Sequence, residues 1–308
     1  MLEFDKVSKR YGDRVALKNL TFAVQPGQMF GFVGANGAGK TTAMRIAMGV
    51  LAADAGAVRW KDQPIGFETR QRFGYMPEER GLYPKMKVLE QLEYFGRLHG
   101  LGQQAARDAA MHWTGTLGVA ERRNDPVDKL SLGNQQRVQL AAALVHDPEV
   151  LILDEPFSGL DPVGVDALAA VLLERCRGGV PVVFSSHQLD LVERLCDSVG
   201  IINAGQIVAT GTVDDLRARE GRRQLRVVTQ GAEPGWSAAL PGVRVVSERG
   251  TEVVLELADG TDDQDVLRAA LSAGRVEHFS WRLPTLTELF REAVAPAAGD
   301  DTPAEAAA

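Results

Sequence analysis

Nine consecutive residues, Gly34-Ala35-Asn36-Gly37-Ala38-Gly39-Lys40-Thr41-Thr42, fit the phosphate-loop template of Gly, four residues, Gly-Lys and a hydroxyl residue. Glycines at this spacing let successive backbone N–H groups turn inward on a phosphate with no side chain in the way. Lys40 then offers a cation to the β- and γ-phosphates, and the Thr41 hydroxyl is a ligand for Mg²⁺. A second group suits the same chemistry. The apolar run Val150-Leu151-Ile152-Leu153 ends in Asp154-Glu155. A buried strand delivers such carboxylates at its C-terminal end, where an α/β sheet places its ligand crevice. Asp154 suits the Mg²⁺ shell, while Glu155, one residue on, points differently and can orient or deprotonate an attacking water. Bound phosphates with Mg²⁺ are what this pattern calls for.

The elements that must position these residues alternate along the chain. Met29–Val33 is expected as a buried strand running into the loop, and Thr41–Met48 as the helix after it, whose N-terminus adds a positive end. Val150–Leu153 and Val182–Ser185 are further strand-like runs, with helical stretches such as Val88–Leu98 and Gln135–Val145 between strands. This alternation predicts an α/β fold, a mostly parallel sheet covered by helices, over residues 1–220. A helical subdomain is expected at about 85–145. The texture changes near Glu220–Arg223, and a small α+β domain is expected over 221–294. Its strands are Leu225–Thr229, Val243–Ser247, Glu252–Leu257 and Val276–Trp281, the second and third joined as a hairpin through Glu248–Thr251. A Thr261–Gln264 capping box is expected to open a helix ending at Ala273. A second box, Thr285–Glu288, opens a last helix bearing Leu286, Leu289, Phe290 and Ala293 at i, i+3, i+4 and i+7. The small-residue, acidic stretch 295–308 reads as a disordered tail.

Composition narrows the classes. Of 308 residues 45% are apolar, which excludes an intrinsically disordered chain. With 34 Lys+Arg against 41 Asp+Glu the net charge is −7, the wrong balance for a general nucleic-acid binder, and no nucleic-acid partner is expected. The longest charge-free stretch, Asn19–Gly39, is interrupted by Pro26 and five glycines, so it does not supply the ~20 apolar residues of a spanning helix. The N-terminus lacks an apolar signal core. Two cysteines, Cys176 and Cys196, make no disulfide framework and fit a reducing cytosol.

Before the acidic strand lies Leu130-Ser131-Leu132-Gly133-Asn134-Gln135-Gln136-Arg137. With this segment the chain resembles the ATP-binding subunit of an ABC transporter, whose signature consensus is LSGGQ followed by QR. The resemblance covers nearly all of residues 1–220 and orders the other motifs. It implies that Tyr11 stacks on adenine, that Ser158-Gly159-Leu160-Asp161 is the D-loop, and that His187 contacts the γ-phosphate. It also implies that the signature residues Ser131, Gly133, Asn134 and Gln135 close over ATP bound by a second protomer. Ser131 and Gly133 begin a helix whose free N–H groups can hold a phosphate. The expected pair is a homodimer of nucleotide domains, with a heterodimer left open.

Two departures point to one branch. Leu132 and Asn134 stand where the signature consensus has Gly and Gln, and Glu78 stands where the family has the Gln that meets Mg²⁺ and the transporter. A carboxylate is also a hard oxygen ligand, so the metal contact is retained. These features, the segment Pro77-Glu78-Glu79-Arg80-Gly81-Leu82-Tyr83 and the closing pattern from Trp281 to Phe290 resemble NatA-like ATPases of ABC-2-type exporters. The implied function is an ATP-hydrolysing subunit, peripheral on the cytoplasmic face of the cell membrane, that powers a separately encoded polytopic permease. Leu82–Leu92 would receive the permease's cytosolic helix. The alternative is a soluble ABC-type ATPase acting on ribosomes or nucleic acid. A single phosphate loop, the absence of a long coiled-coil pattern and the acidic balance weigh against it.

Lys40→Ala is expected to abolish ATP binding, measured by titration with a fluorescent nucleotide. An unchanged affinity would remove Lys40 from that role.

Overall fold

A computed structural model of the chain describes residues 1–79, 81–219, 224–258 and 260–294. Two strands, β1 (Leu2–Tyr11) and β2 (Arg14–Val24), precede β3 (Met29–Val33), the phosphate loop and α1 (Lys40–Ala47). Then come β4 (Ala55–Trp60), β5 (Gln63–Pro64), the single turn α2 (Phe67–Arg70) and β6 (Phe73–Met76). A helical stretch follows with α3 (Val88–Leu98), α4 (Gln103–Thr116) and α5 (Leu132–Leu144). The chain returns to the sheet in β7 (Val150–Asp154), α6 (Pro162–Arg177), β8 (Val182–Ser186), α7 (Leu189–Leu195), β9 (Ser198–Asn203) and β10 (Gln206–Thr212).

These elements build two sheets. One has six strands in the order β10-β9-β3-β8-β7-β6, parallel throughout except for β9 with β10. All five residues of β3, of β7 and of β8 are buried, the near-continuous apolar runs of strands covered on both faces. The other sheet, antiparallel in the order β2-β1-β4-β5, has no counterpart in the expected alternation. In β1 the alternation of buried residues breaks between Phe4 and Val7, where the register with β2 shifts and Lys6 sits at φ +49°. Such a bulge hides a strand from a period-two reading. The two sheets share a core. Phe4, Phe22 and Phe30 stack in series, with ring centroids 4.4 and 4.9 Å apart. Gly31 keeps β3 close to α7, because a Cβ there would fall 2.4 Å from Val192 Cγ1.

The chain divides into two compact units between Val213 and Asp214. The composition shift at Glu220–Arg223 and the tail 295–308 lie outside the described residues. The second unit begins in α8 (Val213–Arg219) and continues with β11 (Gln224–Gln230), β12 (Val243–Arg249) and β13 (Glu252–Leu257). It ends in α9 (Asp263–Ala273), β14 (Arg275–Arg282) and α10 (Leu286–Val294). Its sheet is antiparallel in the order β12-β13-β11-β14, and Leu225, Val227, Val253, Leu255, Val266 and Ala270 form its core. The hairpin of β12 and β13 turns at Gly250–Thr251, with Arg249 opposite Glu252. The second capping box forms in full: the Thr285 amide donates to Glu288 Oε2 at 2.8 Å, and the Glu288 amide to Thr285 Oγ1 at 3.3 Å. The first does not. Asp262 caps α9 by accepting from the Gln264 amide at 3.0 Å, while the Thr261 hydroxyl donates to the Gly242 carbonyl at 3.2 Å. A carboxylate is the stronger acceptor for the positive end of a helix, and the Thr261 hydroxyl already serves the neighbouring loop.

Phe22→Ala opens a cavity between the two sheets and is expected to cost about 3–5 kcal/mol. Urea unfolding followed by circular dichroism reads that loss as a lower midpoint.

Candidate active site

Parallel strands end on the same side, so β3, β6, β7 and β8 deliver their following residues to one edge of the six-stranded sheet. The loop Gly34–Gly39 follows β3 and runs into α1. Gly39 caps that helix at φ +115°, and a Cβ there would lie 2.7 Å from the Ala16 carbonyl oxygen. Only glycine suits such a backbone. Buried Lys40 reaches back along the loop, its Nζ donating to the carbonyls of Gly34 at 2.8 Å and Ala35 at 3.4 Å.

A cavity of about 410 Å³ opens at this edge. Tyr11, Asn36, Gly37, Gly39, Lys40, Thr41, Thr42, Glu78, Asp154 and Glu155 line it, together with Arg14 and Ala16. Gly34 and Ala38 are buried beneath the loop, and Ala35 is exposed on it. Tyr11 is half exposed at 49%, its ring open to a planar ligand. Glu78 enters from the residues after β6, and Asp154 closes β7.

Asp154 is 1% exposed. Its Oδ1 accepts from the Ser185 hydroxyl at 2.5 Å, and its Oδ2 is buried with no hydrogen-bond partner among the described residues. A buried anionic oxygen left unpaired is costly unless a cation meets it. With the Thr41 hydroxyl and the Glu78 carboxylate on the same cavity, the donor set is all oxygen and fits Mg²⁺.

Glu155 has a backbone that non-glycine residues rarely adopt, φ +51°. Its surroundings hold it there. The amide donates to Ser185 Oγ at 2.9 Å, and its carbonyl accepts from Gln136 Nε2 at 3.1 Å. The carboxylate lies 3.0 Å from His187 Nδ1, with His187 itself exposed. Burial raises the Glu155 pKa above its ordinary 4.5, and the His187 hydrogen bond works against that rise. A carboxylate with a raised pKa is a better proton acceptor.

The remaining expected residues sit elsewhere. None of Ser131, Gly133, Asn134, Gln135, Asp161 or His187 lines the cavity. Exposed Ser131 caps α5, accepting from the Asn134 amide at 3.3 Å, and Gly133 lies half-buried in its first turn. Gln135 turns back to the preceding turn, donating to the carbonyls of Val127 and Leu130, each at 3.1 Å. Asp161 caps α6 through the Gly164 amide at 2.7 Å.

Two residues that carry no role in the sequence reading touch the acidic turn. Ser185 is one, and the only signal for it was its place two residues before His187. Gln136 is the other: its Nε2 also donates to the Pro156 carbonyl at 2.9 Å, so the first turns of α5 are fastened to the turn after β7.

A phosphate loop, an unpaired buried carboxylate oxygen and a base-like glutamate at one parallel-sheet edge define a P-loop ATPase. The ABC transporter family profile matches residues 17–158, and the profile described as "ATP-binding protein DrrA1-3-like, C-terminal domain" matches residues 211–294. An uncharacterized ABC transporter ATP-binding protein of Bacillus subtilis is 36% identical over 294 residues, covering 96% of this chain and 98% of that protein. The daunorubicin resistance ATP-binding protein of Streptomyces coeruleorubidus is 35% identical, with 93% of each chain covered. Among solved structures, an ATP-binding subunit of an ABC transporter superposes with a TM-score of 0.67 at 32% identity, covering 72% of this chain and 93% of that one. The chain belongs to the ABC transporter ATP-binding protein family.

An acid whose pKa is raised by the fold costs stability once pH exceeds its unfolded value, here 4.5. Glu155→Gln is therefore expected to have a higher thermal midpoint than the parent at pH 7.5. The gap should close as pH falls to 4.5, as followed by scanning calorimetry.

Proposed function

We propose that this protein is the ATP-hydrolysing subunit of an ABC-2-type exporter and that it drives a separately encoded polytopic permease. The reading rests chiefly on one observation. The cavity gathers the groups needed to bind and cleave a nucleotide, yet the signature residues of the same protomer stand away from it. A second protomer placed head to tail would bring its Ser131 and Gly133 over the nucleotide, completing two sites at one interface. ATP then acts between the protomers, drawing them together, and hydrolysis releases them. The pair is proposed to be a homodimer, held at the cytoplasmic face of the membrane by the permease.

Within this reading Tyr11 stacks on the base, and the amides of Gly34–Gly39 with Lys40 hold the phosphates. Thr41, Asp154 and Glu78 would hold Mg²⁺, which supplies charge neutralisation on the phosphate oxygens when bound. Glu155 takes the proton of the attacking water. His187, bonded to Glu155 through Nδ1, orients that carboxylate and faces the γ-phosphate with its other nitrogen. Asp161 and the signature residues act across the dimer interface. Export as the direction is supported by the Nod factor export ATP-binding protein I of Paraburkholderia xenovorans, 37% identical over 222 residues. Among the described residues no helix is long and apolar enough to cross a membrane. Among its described residues the second compact unit carries no catalytic constellation, and this unit is proposed to support dimerisation or to regulate it.

Glu155→Gln is expected to bind ATP, lose turnover by orders of magnitude and run as a dimer on size exclusion with ATP and Mg²⁺. Used as bait in detergent-solubilised native membranes, it should recover a polytopic membrane protein. Recovery of ribosomal proteins or nucleic acid instead would overturn the transporter reading.

A further inference from the structure

Ser185 sits on β8 directly opposite Asp154 on β7, and it is fully buried. Its single hydroxyl makes two bonds of opposite sense. Oγ accepts from the Glu155 amide at 2.9 Å, and it lies 2.5 Å from Asp154 Oδ1. The amide can only donate, so it occupies an oxygen lone pair and leaves the hydroxyl proton free for the carboxylate. The direction of the Ser185–Asp154 bond is thereby set: serine donates and aspartate accepts.

We infer that Ser185 is a positioning residue that chooses which oxygen of Asp154 meets the metal. The inference rests on the assignment of Asp154 as a Mg²⁺ ligand. With Oδ1 engaged by the hydroxyl, rotation of the carboxylate is blocked and Oδ2 is the oxygen left over. Oδ2 is also the buried atom with no partner among the described residues. The same hydroxyl pins the amide of Glu155, whose φ of +51° sets where its carboxylate goes relative to that metal. One hydroxyl on the neighbouring strand thus fixes the metal-side oxygen and the strained turn that carries the base. The geometry explains one of the two buried serines that follow Val182, Val183 and Phe184 in this strand. Removing it leaves Asp154 free to turn and the Glu155 amide without an acceptor.

Partners that orient a metal ligand from behind change metal affinity by about 10- to 100-fold when removed. The test uses the full chain in the Glu155→Gln background, so that nucleotide is not consumed. ATP and Mn²⁺ are the probes, with bound Mn²⁺ counted by electron paramagnetic resonance. Ser185→Ala is expected to stay folded at 25 °C with a lowered thermal midpoint and to leave ATP affinity without metal close to the parent, while the Mn²⁺ needed for half-saturation of the ATP complex rises about tenfold. Ser185→Thr, which keeps the hydroxyl, should restore most of that affinity. If Ser185→Thr packs poorly, Ser185→Cys, a weaker donor, should fall between parent and Ala. Asp154→Asn serves as the control for the underlying assignment. A metal dependence altered by Asp154→Asn but not by Ser185→Ala overturns the inference alone. If neither changes it, the assignment of Asp154 as a ligand falls and the inference falls with it.

Discussion

Parallel pairing of β3, β8, β7 and β6 is the constraint on which the site depends. In a parallel sheet every strand ends on the same side, so four loops from distant parts of the sequence must meet there. Met29–Val33 pairs with Val182–Ser186, Val182–Ser185 pairs with Leu151–Asp154, and Val150–Leu153 pairs with Phe73–Met76. That register sets Ser185 opposite Asp154 and holds the phosphate loop one strand away. Any slip would flip side chains between the faces and separate the hydroxyl from the carboxylate. Burial of all five residues in each of β3, β7 and β8 holds the register against slipping.

On that frame the chemistry is held by local strain that the surroundings oppose. Gly39 and Glu155 both have positive φ, one at no steric penalty and one at a cost of order 1–3 kcal/mol. The bonds from Ser185 to the Glu155 amide and from Gln136 to the Glu155 carbonyl offset that cost. Gln136 belongs to α5, whose capped start carries Ser131 and Gly133, so the surface proposed to meet the partner's ATP is tied by one side chain to the turn bearing this protomer's base. Gln139, one helical turn further on and buried, donates to the Pro77 carbonyl beside Glu78. One helix therefore grips the backbone next to two carboxylates that face the cavity. A shift of α5 on dimer closure would reach both.

The phosphate loop, the acidic strand end and the helix Val88–Leu98 were legible because their signals are local: a glycine spacing, an apolar run of the right length, a 3.6-residue period; the helix expected at Gln135–Val145 begins earlier, at Leu132. The sequence alone determined an α/β ATPase with Lys40, Thr41, Asp154 and Glu155 at its centre, and it marked the texture change that leads into a second unit. It did not reveal the antiparallel sheet, because the bulge at Lys6 breaks the period, nor the cap of α9, because Thr261 and Asp262 are both competent and only the Gly242 loop decides between them. Tertiary structure also decided that Asp154 has one oxygen engaged and the other without a partner among the described residues, and that Ser185 is the residue responsible. Those facts depend on which strand lies beside which and in what register, and hydrogen bonds between residues 30 positions apart leave no periodic trace along the chain.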